Sequence, residues 1–89
     1  MKILKFGAVW CPGCLVMRPR FQQIEQEFPD LKTEYYEYDM HPELIAAWDI
    51  GKILPVFIFV NNSGEEITRL VGEQSKQTII NLINQYIKE

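Results

Sequence analysis

Hydrophobic side chains along the chain form short apolar runs separated by helical repeats. The runs at residues 3–10 and 54–60 are almost continuously apolar, as expected of central strands that are covered on both faces. Residues 32–39 and 65–71 predict two further strands. The turn-forming residues 61–64 precede the last run and predict a hairpin. Four strands are therefore expected.

Three helices are predicted between and after these strands. The apolar side chains of the first recur at spacings of three and four, at Cys14, Met17, Phe21, Ile24 and Phe28. Pro19 lies within this repeat and predicts a kink, with the helix continuing beyond it. A short helix opens at residues 41–43, and Ser75 is the expected N-cap of the last helix. The order βαβαββα predicts one α/β domain over residues 1–89, with a four-stranded mixed sheet flanked by helices.

Composition and charge narrow the classes of function. The chain has 89 residues, and its 47% hydrophobic content fits one folded domain rather than a disordered chain. Its net charge is −3 and its basic residues do not cluster, which argues against nucleic acid or a membrane surface as the main partner. No secretion signal is evident and the apolar runs are too short to span a bilayer, so we expect a cytoplasmic protein.

Cysteine usage carries the chemical information. The chain has two cysteines, Cys11 and Cys14, in one C-x-x-C. A disulfide closing so short a loop contributes about 2 kcal/mol by chain entropy, so the spacing favours chemistry over structural reinforcement. Metal binding is the alternative, but His41 is the remaining soft ligand, and a closed zinc site takes four. Redox chemistry is favoured, and a metal site shared between two chains stays open.

The C-x-x-C lies where a predicted strand gives way to a helix. Unpaired backbone N–H groups and the helix dipole favour a thiolate at Cys11, and Pro12 loses nothing at the first helical position. Cys14 follows one turn later, close enough to resolve a mixed disulfide. We expect Cys11 to be the more exposed cysteine and the attacking one.

A second candidate site element is Leu54-Pro55. Proline is excluded from the interior of central strands, so its place at the start of one needs a special bond or an edge position. A cis bond would leave the Leu54 backbone free to pair with an extended substrate. Trp10 has two interpretations, as a groove residue or as a core residue. Tyr35, Tyr36 and Tyr38 are predicted to be packing residues of a strand.

The sequence resembles the thioredoxin superfamily at several separated points. They are W-C-P-G-C at residues 10–14, Pro19, the D-x-x-P of residues 39–42, Leu54-Pro55, the turn at residues 62–65, and Val71-Gly72 followed by Ser75-Lys76. The resemblance covers essentially the whole chain. Only the N-terminal strand and helix of full-length thioredoxins have no counterpart in it. A C-x-x-C alone is weak evidence, whereas this series in order is specific.

The resemblance implies thiol–disulfide exchange with protein disulfides, with Cys11 as nucleophile and Cys14 as resolving cysteine. It also implies a cis bond at Pro55 and a shallow substrate groove formed by Trp10, Pro12, Leu54, Pro55, Val71 and Gly72. No cofactor and no metal of its own are expected. We expect a monomer that a flavin-dependent thioredoxin reductase returns to the dithiol.

Three departures from the family pattern matter. Thioredoxins have Gly-Pro between the cysteines, whereas Pro12-Gly13 is the order of glutaredoxins and some disulfide oxidases, which leaves the direction of electron flow open. Residues 71–75 lack the Gly-Gly that glutaredoxins use to bind glutathione, so a glutathione-coupled enzyme ranks second to the thioredoxin interpretation. A non-enzymatic module that binds a metal or a partner is the third interpretation. Lys5 replaces a buried aspartate; turned inwards it would modulate the cysteine pKa, and otherwise its ammonium extends to water.

Overall fold

The computed structural model describes residues 1–88. In chain order the elements are β1 (Lys2–Gly7), α1 (Pro12–Glu27), β2 (Lys32–Glu37), a 3-10 turn (Tyr38–Met40), α2 (Pro42–Ala47), β3 (Val56–Val60), β4 (Glu66–Val71) and α3 (Lys76–Tyr86). The strand order is β2-β1-β3-β4, with β1 parallel to β2 and the other pairs antiparallel. The predicted βαβαββα domain with a mixed sheet is confirmed.

The two central strands are buried on both faces, so the core has two parts. One face carries Leu4, Phe6, Val56 and Ile58, with Leu44, Ile45 and Trp48 from the α2 region packed against it. The other face carries Ile3, Phe57 and Phe59 and is covered by side chains of α1 and α3, among them Phe21, Ile24, Ile79 and Ile83. Alternate residues of β1 and β3 thus pack on opposite faces of the sheet. Because both faces are covered, almost every residue of these strands is apolar.

Two predicted strands are too long at the ends that border the cysteines. β1 ends at Gly7 instead of residue 10, and β3 begins at Val56 instead of residue 54. The Cys11 amide donates to the Ala8 carbonyl at 3.2 Å, which turns the chain out of the sheet, and the exposed Val9 and Trp10 occupy that turn. These apolar side chains therefore belong to the surface around the cysteines.

Both long helices begin as predicted. α1 starts with Pro12 after Cys11 as N-cap, and it continues through Pro19 to Glu27. The Ser75 hydroxyl accepts the Thr78 amide at 3.1 Å and caps α3. Within residues 1–88, no helix has both the length and the apolar character needed to cross a membrane.

Candidate active site

The two cysteines meet at the first turn of α1. The Cys14 amide donates to Cys11 Sγ at 3.2 Å, so a sulfur takes the place that a hydroxyl or carboxylate usually holds at a helix N-cap. The same sulfur lies 3.5 Å from the Leu54 carbonyl oxygen. Both cysteines are free thiols. The arrangement brings two reactive sulfurs and one backbone carbonyl to the same end of the sheet.

The expected difference in exposure between the cysteines is wrong. Cys11 is 5% exposed and Cys14 is 8% exposed, because the segment at Leu54-Pro55 lies over the outer sulfur. The two thiols differ in their bonds instead. Burial and the hydrogen bond with Cys11 raise the pKa of Cys14 to about 11. Cys14 therefore keeps its proton at neutral pH, whereas Cys11 Sγ accepts the Cys14 amide and its thiol donates to the Leu54 carbonyl.

The Leu54-Pro55 segment faces the cysteines, and its peptide bond is cis, as the resemblance implied. The Leu54 side chain, however, is buried and does not line a surface groove; its carbonyl oxygen is what the segment presents to Cys11. The exposed neighbour is Ile53, at 67%. Ile53 was not among the predicted site residues, although an apolar residue just before the Leu-Pro pair was a usable signal.

We define an apolar rim as Trp10, Ile53, Val71 and Gly72. Trp10 directly precedes Cys11, and the other three residues adjoin the Leu54-Pro55 segment that faces the Cys11 sulfur. The Gly72 amide donates to the Pro55 carbonyl at 2.7 Å, and this bond joins the two sides of the rim. Trp10 is 56% exposed, which favours the groove interpretation over the core interpretation. Its indole Nε1 donates to Asp39 Oδ2 at 2.8 Å, and its ring meets the Tyr38 ring edge to face. Three apolar side chains of the rim are therefore exposed, and that of Trp10 is held by its hydrogen bond.

Lys5 points neither at the cysteines nor freely into water. Its Nζ lies 2.8 Å from Glu25 Oε1 and 4.9 Å from the centre of the Phe21 ring. Glu25 also accepts the Thr33 hydroxyl. Burial alone would raise the pKa of Glu25, but the bonds from Lys5 and Thr33 lower it overall. The charge of Lys5 is thus balanced by α1, an arrangement that depends on a residue 20 positions away.

A cavity of about 360 Å³ has Cys14 in its lining. Lys5, Gly7, Arg18 and Tyr35 are among the residues that line it. The Tyr35 hydroxyl donates to Glu37 Oε1 at 2.8 Å. Tyr35 was predicted as a packing residue, and nothing local in the sequence marks it as a neighbour of Cys14.

His41 does not complete a metal site with the cysteines. Its ring meets the Tyr36 ring edge to face at 5.3 Å, and its Nδ1 lies 3.4 Å from Glu43 Oε1. Among residues 1–88 there is no group of three His, Cys, Asp or Glu side chains that could hold a metal ion. The ligand set considered from the sequence is therefore not assembled within the described part of one chain.

The chain is similar to thioredoxins both in sequence and in structure. Residues 1–85 match the family model described as Thioredoxin. A thioredoxin from Mycoplasma genitalium is 34% identical over 82 residues, which are 92% of this chain and 78% of that protein. Thioredoxin H5 of Oryza sativa subsp. japonica is 39% identical over 70 residues, and the aligned region is 79% of this chain but 50% of that protein. The crystal structure of thioredoxin from Trypanosoma brucei brucei is similar with a TM-score of 0.87 at 25% identity, over 99% of this chain and 75% of that one.

Proposed function

The chain belongs to the thioredoxin family of thiol–disulfide oxidoreductases, and we propose that it exchanges disulfides with protein partners through Cys11 and Cys14. One observation carries the proposal. Cys11 Sγ is the N-cap of α1 and accepts the Cys14 amide, with the Leu54 carbonyl on its other side. Backbone N–H groups at the start of a helix are a setting in which nucleophilic cysteines occur, and the second sulfur lies one turn away, within reach of the first.

The reaction proceeds in two exchanges. The Cys11 thiolate attacks one sulfur of the substrate disulfide, forms a mixed disulfide and expels the other substrate sulfur as a thiolate. Cys14 Sγ then attacks Cys11 Sγ, which releases the second substrate thiolate and leaves a Cys11–Cys14 disulfide. Two electrons pass from the dithiol to the substrate. The raised pKa of Cys14 supports this order, because the thiol that keeps its proton does not compete in the first attack.

The substrate is a disulfide in an extended protein segment. The apolar rim supplies exposed side chains for the residues that flank the substrate cysteine, and Pro12 adds an exposed ring beside Cys11. The Leu54 carbonyl lies 3.5 Å from Cys11 Sγ, so an extended segment bound at the sulfur would run alongside the Leu54 backbone. In this proposal Leu54 acts through its backbone and Ile53 through its side chain.

The remaining roles follow the family interpretation. A thioredoxin reductase returns the Cys11–Cys14 disulfide to the dithiol, and the protein acts in the cytoplasm as a monomer. The Pro12-Gly13 order affects the redox potential of the cysteine pair, and a measured potential decides whether the protein reduces or oxidises its partners. Recycling by NADPH and thioredoxin reductase supports this interpretation, whereas recycling by glutathione alone supports the glutaredoxin-like alternative.

Reduction of insulin disulfides tests the proposal. We expect Cys11→Ser to abolish turnover, and we expect Cys14→Ser to stop after one exchange and accumulate a mixed disulfide on Cys11 that mass spectrometry detects. Leu15→Ser is the matched control, because Leu15 is an exposed residue of the same helical turn. Full activity of Cys11→Ser would overturn the assignment of the nucleophile.

A further inference from the structure

Tyr35 and Glu37 form a hydrogen-bonded pair beside the cavity that reaches Cys14. The Tyr35 hydroxyl donates to Glu37 Oε1 at 2.8 Å, and Glu37 Oε2 accepts the Val9 amide at 3.0 Å. The second bond ties the carboxylate to the turn that leads into Cys11. The pair thus connects β2 directly to the segment carrying the reactive sulfurs.

Gly7 allows the tyrosine hydroxyl and the Cys14 thiol to share one space. A Cβ on Gly7 would lie 3.2 Å from the Tyr35 hydroxyl oxygen and 3.3 Å from Cys14 Sγ. Both polar atoms therefore face the same point, and all three residues line the cavity of about 360 Å³. The hydroxyl oxygen and the sulfur are therefore no further apart than the sum of these two distances. Tyr35 is half-exposed, so the pair also reaches solvent.

The second exchange requires Cys14 to lose its proton, and its surroundings oppose that loss. Burial, the hydrogen bond with Cys11 and the charges of Cys11 and Glu37 raise the pKa of Cys14 to about 11, against a smaller lowering by the Ala8 backbone. Release of the proton to bulk water would place a thiolate near the Glu37 carboxylate. Transfer to Glu37 instead moves one negative charge without adding another.

The other charged groups around the cavity are less suited to accept this proton. Lys5 and Arg18 are cations, and Glu25 is engaged by Lys5 and Thr33. Partial burial and the bond to Glu37 raise the pKa of Tyr35 to about 12, against a lowering by Arg18. Tyr35 is therefore neutral in the resting protein and suited to pass a proton on rather than to hold a charge.

We propose that Tyr35 relays the proton of Cys14 to Glu37 during resolution of the mixed disulfide, a step that rests on the proposed function. As Cys14 Sγ attacks Cys11 Sγ, a new S–S bond forms and the bond between Cys11 and the substrate sulfur breaks. The substrate sulfur leaves as a thiolate with the electron pair of that bond. The Cys14 proton passes to the Tyr35 oxygen, directly or through one water molecule in the cavity, while the Tyr35 proton passes to Glu37, which later releases it to solvent.

Stopped-flow absorbance with dithiobis(nitrobenzoate) separates the two exchanges. Reduced protein and probe are mixed in equal amounts, and each exchange releases one coloured thiolate. The first phase reports attack by Cys11 and depends on probe concentration, whereas the second reports resolution by Cys14 and does not. The variants are Tyr35→Phe, which removes the hydroxyl, and Glu37→Gln, which keeps an acceptor for Val9 but cannot take the proton. Tyr36→Phe is the matched control, because Tyr36 donates to Glu34 in the same strand at 2.6 Å.

We expect Tyr35→Phe and Glu37→Gln to slow the second phase about tenfold or more at neutral pH and to leave the first phase within about twofold. Their second-phase rates should keep rising with pH over the range in which the wild-type rate is level. The control should match wild type in both phases, and thermal melts establish that each variant is folded.

An unchanged second phase in either folded variant, or an equal slowing of both phases, would overturn the relay. These results differ from failure of the proposed function, in which the wild type itself would release no second thiolate. Wild-type protein that shows both phases, together with variants that behave like it, would refute the relay alone.

Discussion

Substitution of Gly72 by alanine is expected to have two effects: backbone strain that lowers stability, and a disturbed apolar rim that weakens substrate binding. Gly72 has a φ of +88°, and a Cβ there would meet Ile53 Cγ2 at 3.9 Å, an ordinary contact. The cost is therefore conformational. An L-residue in the left-handed region costs about 1–2 kcal/mol, which would lower Tm by about 4–8 °C per kcal/mol in a domain of this size.

The functional effect follows from the bond that Gly72 makes. Its amide donates to the Pro55 carbonyl at 2.7 Å, so relief of the strain by rotation about φ moves this amide and loosens the rim next to Cys11. We expect Gly72→Ala to raise the KM for insulin reduction several-fold and to change kcat little, because substrate positioning is lost and the sulfurs are not touched.

Two other glycines provide matched controls. Gly64 has a φ of +83° with open space around it, but it lies in the β3–β4 hairpin. Gly51 has open space and no positive φ. Gly64→Ala should lose stability by a similar amount with no change in KM, and Gly51→Ala should be neutral or slightly stabilising.

Urea unfolding gives the stabilities, and insulin reduction at several substrate concentrations gives KM and kcat. The reasoning is refuted if Gly72→Ala is as stable as Gly51→Ala. It is equally refuted if Gly64→Ala raises KM as much as Gly72→Ala does, since strain alone would then explain the effect.

Two further predictions concern the rim and the resolving cysteine. Ile53→Ser should raise KM for a protein disulfide but leave the reaction with a small disulfide unchanged, because it removes an exposed apolar side chain from the rim; equal effects on both substrates would exclude a binding role. The reduced protein should lose about 2 kcal/mol of unfolding free energy as pH rises from 9 to 11, because Cys14 ionises at a lower pH in the unfolded chain than in the folded one. Urea unfolding across this range should show no such contribution in Cys14→Ala, and an identical pH dependence of the two proteins would show that burial does not hold the proton.

Much of the fold could be predicted because its determinants are local. The helical repeat from Cys14 to Phe28, the cap at Ser75 and the hairpin turn each depend on residues within a few positions of one another. The strand ends were predicted less well. Apolar residues such as Val9 and Trp10 continue the hydrophobic run, and the run by itself does not show where the chain leaves the sheet.

The candidate site divides in the same way. The C-x-x-C at a strand–helix junction and the Leu54-Pro55 pair were visible as motifs, since each is contiguous. Which side chain of the adjacent Ile53 and Leu54 turns inwards could not be predicted, because it depends on how the loop packs on the sheet. Tyr35 gave no motif at all.

The sequence by itself determined that two thiols stand one helical turn apart at the start of a helix, because spacing and capping act over a few residues. Tertiary structure decided how exposed each sulfur is and that Glu25 forms an ion pair with Lys5. It also decided that Tyr35, hydrogen-bonded to Glu37, lines the same cavity as Cys14. These properties arise from contacts between segments far apart in the chain. Their distances and burial exist only once the sheet has brought those segments together.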